Sequence, residues 1–487
     1  MLLVGSIAAS FVDRLGAPTL LLFMGLGIFL GEDGPGGINF DDATLARDAG
    51  TVALMIILIE GGLLAERSEV QRALGPAGLL ATLGVLVTAG VVAVAAYYVA
   101  DFGWTTALLL GAAVSSTDAA AVFASLRGTN VRRRLAATLE AESGFNDPFA
   151  ALLVIGLVEW STSDHFGAID GVVLFAQQAG IGLVGGLAVG IAGVWILRRI
   201  PLPSAGLTPV VTVAVALAGA IGVSAVNGSG LLAAYLIGLV IGDARIPHVA
   251  VVRGFLQGSA WLAQLGLFVL LGLLVTPSRM FDEGPAPILV AVALVLVARP
   301  LAVFVSTSVF GMSVREQGFL AWAGLRGGVP IVLATFPVAA GVPGAIRVFD
   351  AVFFVVVLSV AAQGLTMRWA ARKLDLIDAH PVPRLAEIDS ATLSTLHSEL
   401  VELRAEDLGI HTGTNVRDAE LPGAAIIVAI RRGDQIVRPR GSSVLVGDDH
   451  LYLLVARGRL RDLQDALDHV EALPSAPHSG IHAPHSG

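Results

Sequence analysis

Two short stretches decide how this chain folds, Gly111-Ala-Ala-Val-Ser-Ser-Thr-Asp-Ala119 and Gly324-Leu-Arg-Gly-Gly-Val-Pro330. Each lies inside an apolar run of about twenty residues, the length a helix needs to cross a bilayer core. Each also breaks the helix it interrupts. The first supplies small and hydroxyl-bearing residues that support free carbonyls at a break. The second joins glycines to a proline, which removes a backbone donor. One charge sits at each break, Asp118 and Arg326. Ionisable groups at membrane depth are costly and mark function.

Working outward, apolar runs separated by short charged loops recur from the start of the chain to about Ala370. About thirteen are legible as spans, at 2–12, 16–30, 48–64, 75–100, 104–125, 135–158, 171–198, 206–226, 229–242, 254–276, 286–310, 317–341 and 347–370. The two breaks fall in the fifth and twelfth runs. With the seventh run as a linker, both take the fifth position of a six-helix repeat. Paired broken helices in corresponding positions point to the binding site of a secondary transporter. Close helix packing, the plain reading of a Gly-rich stretch, leaves that match in position unexplained.

The expected fold is therefore an all-α polytopic membrane protein with two inverted six-helix repeats and two broken, crossing helices. The first run is too short to span, yet it is apolar up to Met1. Either the native start lies upstream or this helix is clipped. It lacks the basic region of a signal peptide.

Composition agrees. Charged residues make up 14% and hydrophobic residues 55% of 487 positions, whereas a soluble domain carries roughly 25% charge. The 57 glycines suit close packing and breaks in membrane helices. With no cysteine there is no disulfide framework and no thiolate metal site. The net charge of −9 gives no basic footprint for nucleic acid.

Alternate loops separate by charge. One set holds Arg14, Arg67, Arg72, Arg127, Arg132–Arg134, Arg198, Arg199, Arg245, Arg253 and Arg315, and Arg368, Arg372 and Lys373 follow the last run. The other set is acidic and holds Arg47, Arg279 and Arg347 alone. Arginine and lysine concentrate in cytoplasmic loops. The Arg-rich face is therefore cytoplasmic, in a cell inner membrane, with the C-terminus inside and the N-terminus outside.

Past Leu385 the composition becomes that of a small soluble domain. Runs at 424–432 and 450–456, with turns at Gly433-Asp434 and Gly447-Asp448, read as strands. Residues 459–470 read as an amphipathic helix, and the repeated Ala-Pro-His-Ser-Gly of the tail as disorder. The expected division is a transmembrane domain at 1–374, a linker at 375–397, a small cytoplasmic α/β domain at 398–470 and a disordered tail at 471–487.

Six ionisable residues stand out within the apolar runs: Glu60, Asp118, Glu142, Asp147, Arg299 and Arg326. For any one alone, a structural ion pair or a snorkelling side chain is an adequate account. The sixth run carries Leu139-Glu-Ala-Glu-Ser-Gly-Phe-Asn-Asp-Pro148. On a helix Ser143 and Asp147 share one face and Glu142 and Asn146 another, with Glu142 and Asp147 about 140° apart. The two acids therefore have different work. Burial disfavours the charged form of a carboxylate, which suits Asp147 to trade a proton for a cation, whereas a nearby arginine keeps Glu142 charged.

At these residues the sequence resembles the NhaP-type cation:proton antiporters, relatives of the animal sodium/proton exchangers. The resemblance covers nearly the whole chain. It rests on Ser116-Thr-Asp118, Glu142-Ser143, Asn146-Asp147, Ala298-Arg-Pro300 and Gly324-Leu-Arg-Gly-Gly328, in that order. The nearest branch is the cell-volume-regulation type, similar to potassium/proton antiporters, which carries a TrkA-C-like C-terminal domain.

The resemblance implies that Asp147 binds cation and proton in turn, with Thr117, Asp118 and Ser143 completing an oxygen cage. It implies a Glu142–Arg299 pair and an Arg326 that offsets helix-end dipoles at the second break. It further implies alternating access, a homodimer and, at the C-terminal domain, a small nucleotide ligand. Asn146 stands where some relatives carry a second carboxylate, so electroneutral one-for-one exchange of potassium, or sodium, for protons is expected. Glu60, in Ile59-Glu-Gly-Gly62, either approaches the site from the third run or is purely structural.

Two rivals are a gated channel and an intramembrane enzyme. No Thr-Val-Gly-Tyr-Gly filter is present, and neither a His-Glu-x-x-His nor a Gly-x-Ser-x-Gly motif occurs. No cofactor and no resident metal is expected, only the transported cation, protons and membrane lipid.

Overall fold

The computed structural model describes residues 19–377 and 398–456, apart from 66, 127–128, 130, 164, 201–203, 205, 245, 283–284, 420, 422–424 and 434. The run at 2–12, Arg14, most of the linker, the helix expected at 459–470 and the tail lie outside the described residues. The chain divides into two compact units, Met1–His380 and Pro381–Gly487.

The first unit is helical. Among the described residues seven helices are long and apolar enough to cross a membrane: Ala73–Val99, Arg134–Thr162, Ala168–Arg199, Leu207–Ala225, Val249–Leu273, Ala286–Phe310 and Ala345–Lys373. Shorter apolar helices include Trp104–Ala113, Gly230–Asp243 and Gly328–Ala339.

Six elements build the site. Helix α1 (Ala43–Leu64) starts five residues before the apolar run 48–64, because Asp42 Oδ1 caps it by accepting the Leu45 N–H at 2.9 Å. The fifth run is split into α2 (Trp104–Ala113) and α3 (Ala119–Ser125). Helix α4 (Arg133–Thr162) carries Pro148 inside it without ending. The twelfth run is split into α5 (Val314–Trp322) and α6 (Gly328–Ala339).

Helix α1 packs on the short helix Gly230–Asp243 through facing glycines. A Cβ at Gly238 would meet the backbone of Ile59, and one at Gly62 the Tyr235 carbonyl. Small residues let membrane helices approach to backbone contact, and this approach brings Glu60 and Tyr235 to one wall.

Three long helices contain a π turn, at Leu80–Gly84, Leu294–Ala298 and Val360–Gly364. Such one-turn bulges often stand at functional sites. The second delivers Arg299, the first residue after it.

The second unit holds an antiparallel sheet in the order β1 (Ser398–Arg404), β4 (His450–Ala456), β2 (Ile426–Arg432), β3 (Gln435–Val437). The two strands read from the sequence, β2 and β4, are its centre, and a bulge between Ile427 and Ala429 shifts their register. Strands β1 and β3 were not legible: β1 follows the linker without a turn signal, and β3 is three residues long. Ile430, Leu445, Leu451, Leu453 and Val455 form the buried core of this unit.

Candidate ion-binding site

The two breaks meet. The N–H of Asp118, in the first, donates to the Leu325 carbonyl in the second at 2.8 Å. The Arg326 guanidinium donates through Nη1 to the carbonyls of Ser115 and Ser116, at 3.0 and 2.6 Å. Those carbonyls lie just past the C-terminal end of α2, where a helix leaves unpaired acceptors and the negative end of its dipole. A buried cation answers both. Asp118 caps the following helix α3, its Oδ1 accepting the Ala121 N–H at 3.1 Å. The crossing is tight, since a Cβ on Gly327 would overlap the Asp118 carboxylate.

Helix α4 supplies the acids beside the crossing. Glu142, 1% exposed, and Arg299, 2% exposed, form a bidentate pair at 2.5 and 2.9 Å, and Arg299 Nη2 also reaches the Leu320 carbonyl. Fork-to-fork pairing of this kind is strong and fixes geometry. Asp147, five residues on, points elsewhere. It is 6% exposed, and its Oδ1 meets no hydrogen-bond donor among the described residues.

Asp147 lies on the wall of a cavity of about 410 Å³, together with Asp118, Ser143 and Glu60. Ser143 Oγ also accepts the Ala119 N–H at 3.3 Å, which ties α4 to the start of α3. Thr117 and Asn146 do not line this wall. They bond to each other, Asn146 Nδ2 donating to Thr117 Oγ1 at 2.6 Å. The Thr117 side chain thereby braces Asn146 rather than facing the cavity, which differs from the oxygen cage that the resemblance implies. Glu142, Arg299 and Arg326 stand off the wall as well.

Glu140, Tyr235 and Gln264 are polar wall residues that escaped the sequence reading. Glu140 was within reach, because residues seven apart return to nearly the same helix face and Asp147 lies seven beyond it. Tyr235 was not, because its place depends on Gly144, whose missing side chain leaves room for the ring.

Carboxylate and hydroxyl oxygens around a small cavity suit a hard monovalent cation, and an acid among them can hold a proton in its place. A second cavity, of about 540 Å³, lies against the other halves of the same helices, lined by Arg47, Thr51, Ala151, Ser224, Gly230 and Phe336 among others.

The sodium/hydrogen exchanger transmembrane family matches residues 1–373. The chain is 42% identical over 476 residues to the K(+)/H(+) antiporter NhaP of Alkalimonas amylolytica, covering 96% of this chain and 82% of that one. It is 36% identical over 472 residues to the K(+)/H(+) antiporter NhaP2 of Shewanella sp. strain MR-4, covering 96% and 81%. Its fold matches the sodium proton antiporter MjNhaP1 from Methanocaldococcus jannaschii with a TM-score of 0.64 at 23% identity, over 74% of this chain and 96% of that one. A family match across the whole helical unit, with identities of this size over nearly the full length, shows that the chain belongs to the sodium/hydrogen exchanger family.

Proposed function

We propose that this protein exchanges a monovalent cation for a proton across a cell inner membrane, with potassium as the preferred cation and Asp147 as the carrier. The observation that carries the reading is the Asp147 carboxylate, buried on a cavity wall beside Asp118 where two broken helices cross. Potassium is supported by the potassium/proton relatives at 36–42% identity. Sodium is the second reading, favoured by the family's own description.

Asp118 and Ser143 supply further oxygens to the cation, with Asn146 and Thr117 holding the framework around them. Glu60 faces the same cavity from α1. Glu142 with Arg299, and Arg326 at the crossing, supply the fixed charges that hold the breaks together. One carboxylate losing one proton as it gains one monovalent cation makes the exchange electroneutral and one-for-one.

The mechanism is alternating access, supported by the two cavities on opposite halves of the same helices. We further propose the full architecture of about thirteen spans in two inverted repeats, a homodimer, and a cytoplasmic TrkA-C-like C-terminal domain that takes a small nucleotide.

The test is proton movement in everted vesicles with potassium and sodium compared over a pH series. Asp147→Asn, which keeps the shape and removes the titrating charge, abolishes exchange while the protein still inserts. Cation-dependent proton release near the wild-type rate in that variant would remove Asp147 as carrier.

A further inference from the structure

The π turn Val360–Gly364 and the residue just before it carry a polar pair toward the second break that the exchange chemistry described above does not use. Ser359 and Gln363 are four residues apart, and both are buried, at 2% and 1% exposure. The Ser359 hydroxyl donates to Gln363 Oε1 at 2.6 Å and accepts the Arg326 backbone N–H at 3.2 Å. Gln363 Nε2 donates to the Trp322 carbonyl at 2.9 Å. One turn on, Thr366 Oγ1 accepts the Trp322 indole N–H at 3.0 Å.

Trp322 ends α5 and Arg326 stands just before α6. Breaking a helix orphans carbonyls on one side and N–H groups on the other, and an orphan left buried is destabilising. Ser359 and Gln363 satisfy one of each and so span the break. From that fixed backbone the Arg326 side chain reaches the Ser115 and Ser116 carbonyls, which lie beside Asp118.

We infer that Gln363, acting through Ser359 and the Trp322 carbonyl, is a positioning residue for ion exchange: it clamps the second break and sets where Arg326 meets the first. Neither Gln363 nor Ser359 lines the ion cavity among the described residues, so neither is a cation ligand. The inference rests on the exchange reading for its functional half, while the clamp itself is a statement about the break alone.

Two measurements separate the halves. Exchange in everted vesicles is compared for wild type, Gln363→Leu and Gln363→Glu over about pH 6 to 9, with thermal unfolding of each protein alongside. Gln363→Leu removes both bonds and lowers the maximal rate about tenfold or more, the loss expected from one orphaned buried group. Gln363→Glu keeps the shape, and its neutral acid still donates and accepts. Once ionised it cannot donate to Trp322. Its rate relative to wild type therefore falls as pH rises, a pH dependence that a merely space-filling role does not create.

The second measurement needs no transport. Amide hydrogen exchange across residues 323–327 speeds up in Ser359→Ala while the remaining helices keep their protection. Near-wild-type rates in Gln363→Leu, or rate losses in both Gln363 variants that are independent of pH and parallel a loss of thermal stability, overturn the positioning role. Unchanged protection of the break in Ser359→Ala overturns the clamp. An absence of exchange in wild type itself counts against the exchange reading and leaves the amide measurement to decide the clamp.

Discussion

The backbone N–H of Asp118 donates to the Leu325 carbonyl at 2.8 Å, so that the two broken helices are joined by a main-chain bond at their crossing. No side chain can slip between them, because a Cβ at the next glycine, Gly327, would overlap the Asp118 carboxylate. The position of the acid is thus set by the backbone of the opposite break. A shift of one break moves the other, and the buried Arg326 that bridges them moves with both.

Glu142 and Arg299 hold the same region from outside the cavity. Removing one partner of a buried pair leaves an uncompensated charge and costs about 3–5 kcal/mol, whereas replacing both is far milder. Glu142→Gln and Arg299→Met each lower thermal stability strongly, and the double variant recovers part of the loss. Additive losses across the four proteins would show that the bidentate contact is energetically idle.

The breaks, the acids and their separate faces were legible in the sequence because each rests on local chemistry: Gly and Pro at 324–330, hydroxyls at 115–117, and helical spacing from Glu142 to Asp147. What the helix period could not give was which oxygen faces the cavity. Thr117 turned to Asn146 because a buried amide takes the nearest acceptor, and Tyr235 entered through a glycine on another helix. Ser359 and Gln363 carried no signal in the sequence, since the Arg326 N–H and the Trp322 carbonyl that they bond lie more than thirty residues away.

The two cavities yield a labelling test, and the chain has no cysteine to remove first. Ser224 lines the second cavity and Ala65 the first. By the arginine distribution the first is expected to open toward the cytoplasm. A membrane-impermeant maleimide labels Ser224→Cys in right-side-out vesicles and Ala65→Cys in everted ones. The reverse pattern would invert the orientation.

In the second unit Asp449 accepts two bonds from Arg432, both at 2.7 Å, and the Val446 N–H at 2.9 Å. The Arg432 guanidinium holds its carboxyl below the usual carboxylate range, helped by that N–H. A carboxyl depressed on folding adds stability above its unfolded value of about 3.9 and loses it as pH falls through the lower folded value. The calorimetric transition that truncation removes should therefore be steady near neutrality and drop below about pH 4. Asp449→Asn lowers it at neutral pH and flattens the acid limb; an unaltered limb would assign the acid sensitivity to other groups.

Truncation after Asp378 tests whether the second unit regulates exchange. Residues up to Ile377 belong to the helical unit: the Arg132 N–H donates to the Leu376 carbonyl at 3.1 Å, and Val131 forms a β-bridge with Ile377. The cut spares those contacts and every buried charge at the breaks. For the removed unit to regulate, its ligand or cytoplasmic pH must prefer one state of the transporter, since equal affinity for both shifts nothing. Between Leu385 and Val470 no Gly-x-Gly-x-x-Gly occurs, so NAD is not the expected ligand. The truncated protein is expected to exchange at its full rate with an altered dependence on cytoplasmic pH or on added nucleotide. A truncated protein that inserts but transports nothing at any pH makes the unit part of the engine. An unchanged profile, with no nucleotide response in the intact chain, reduces the unit to a structural support.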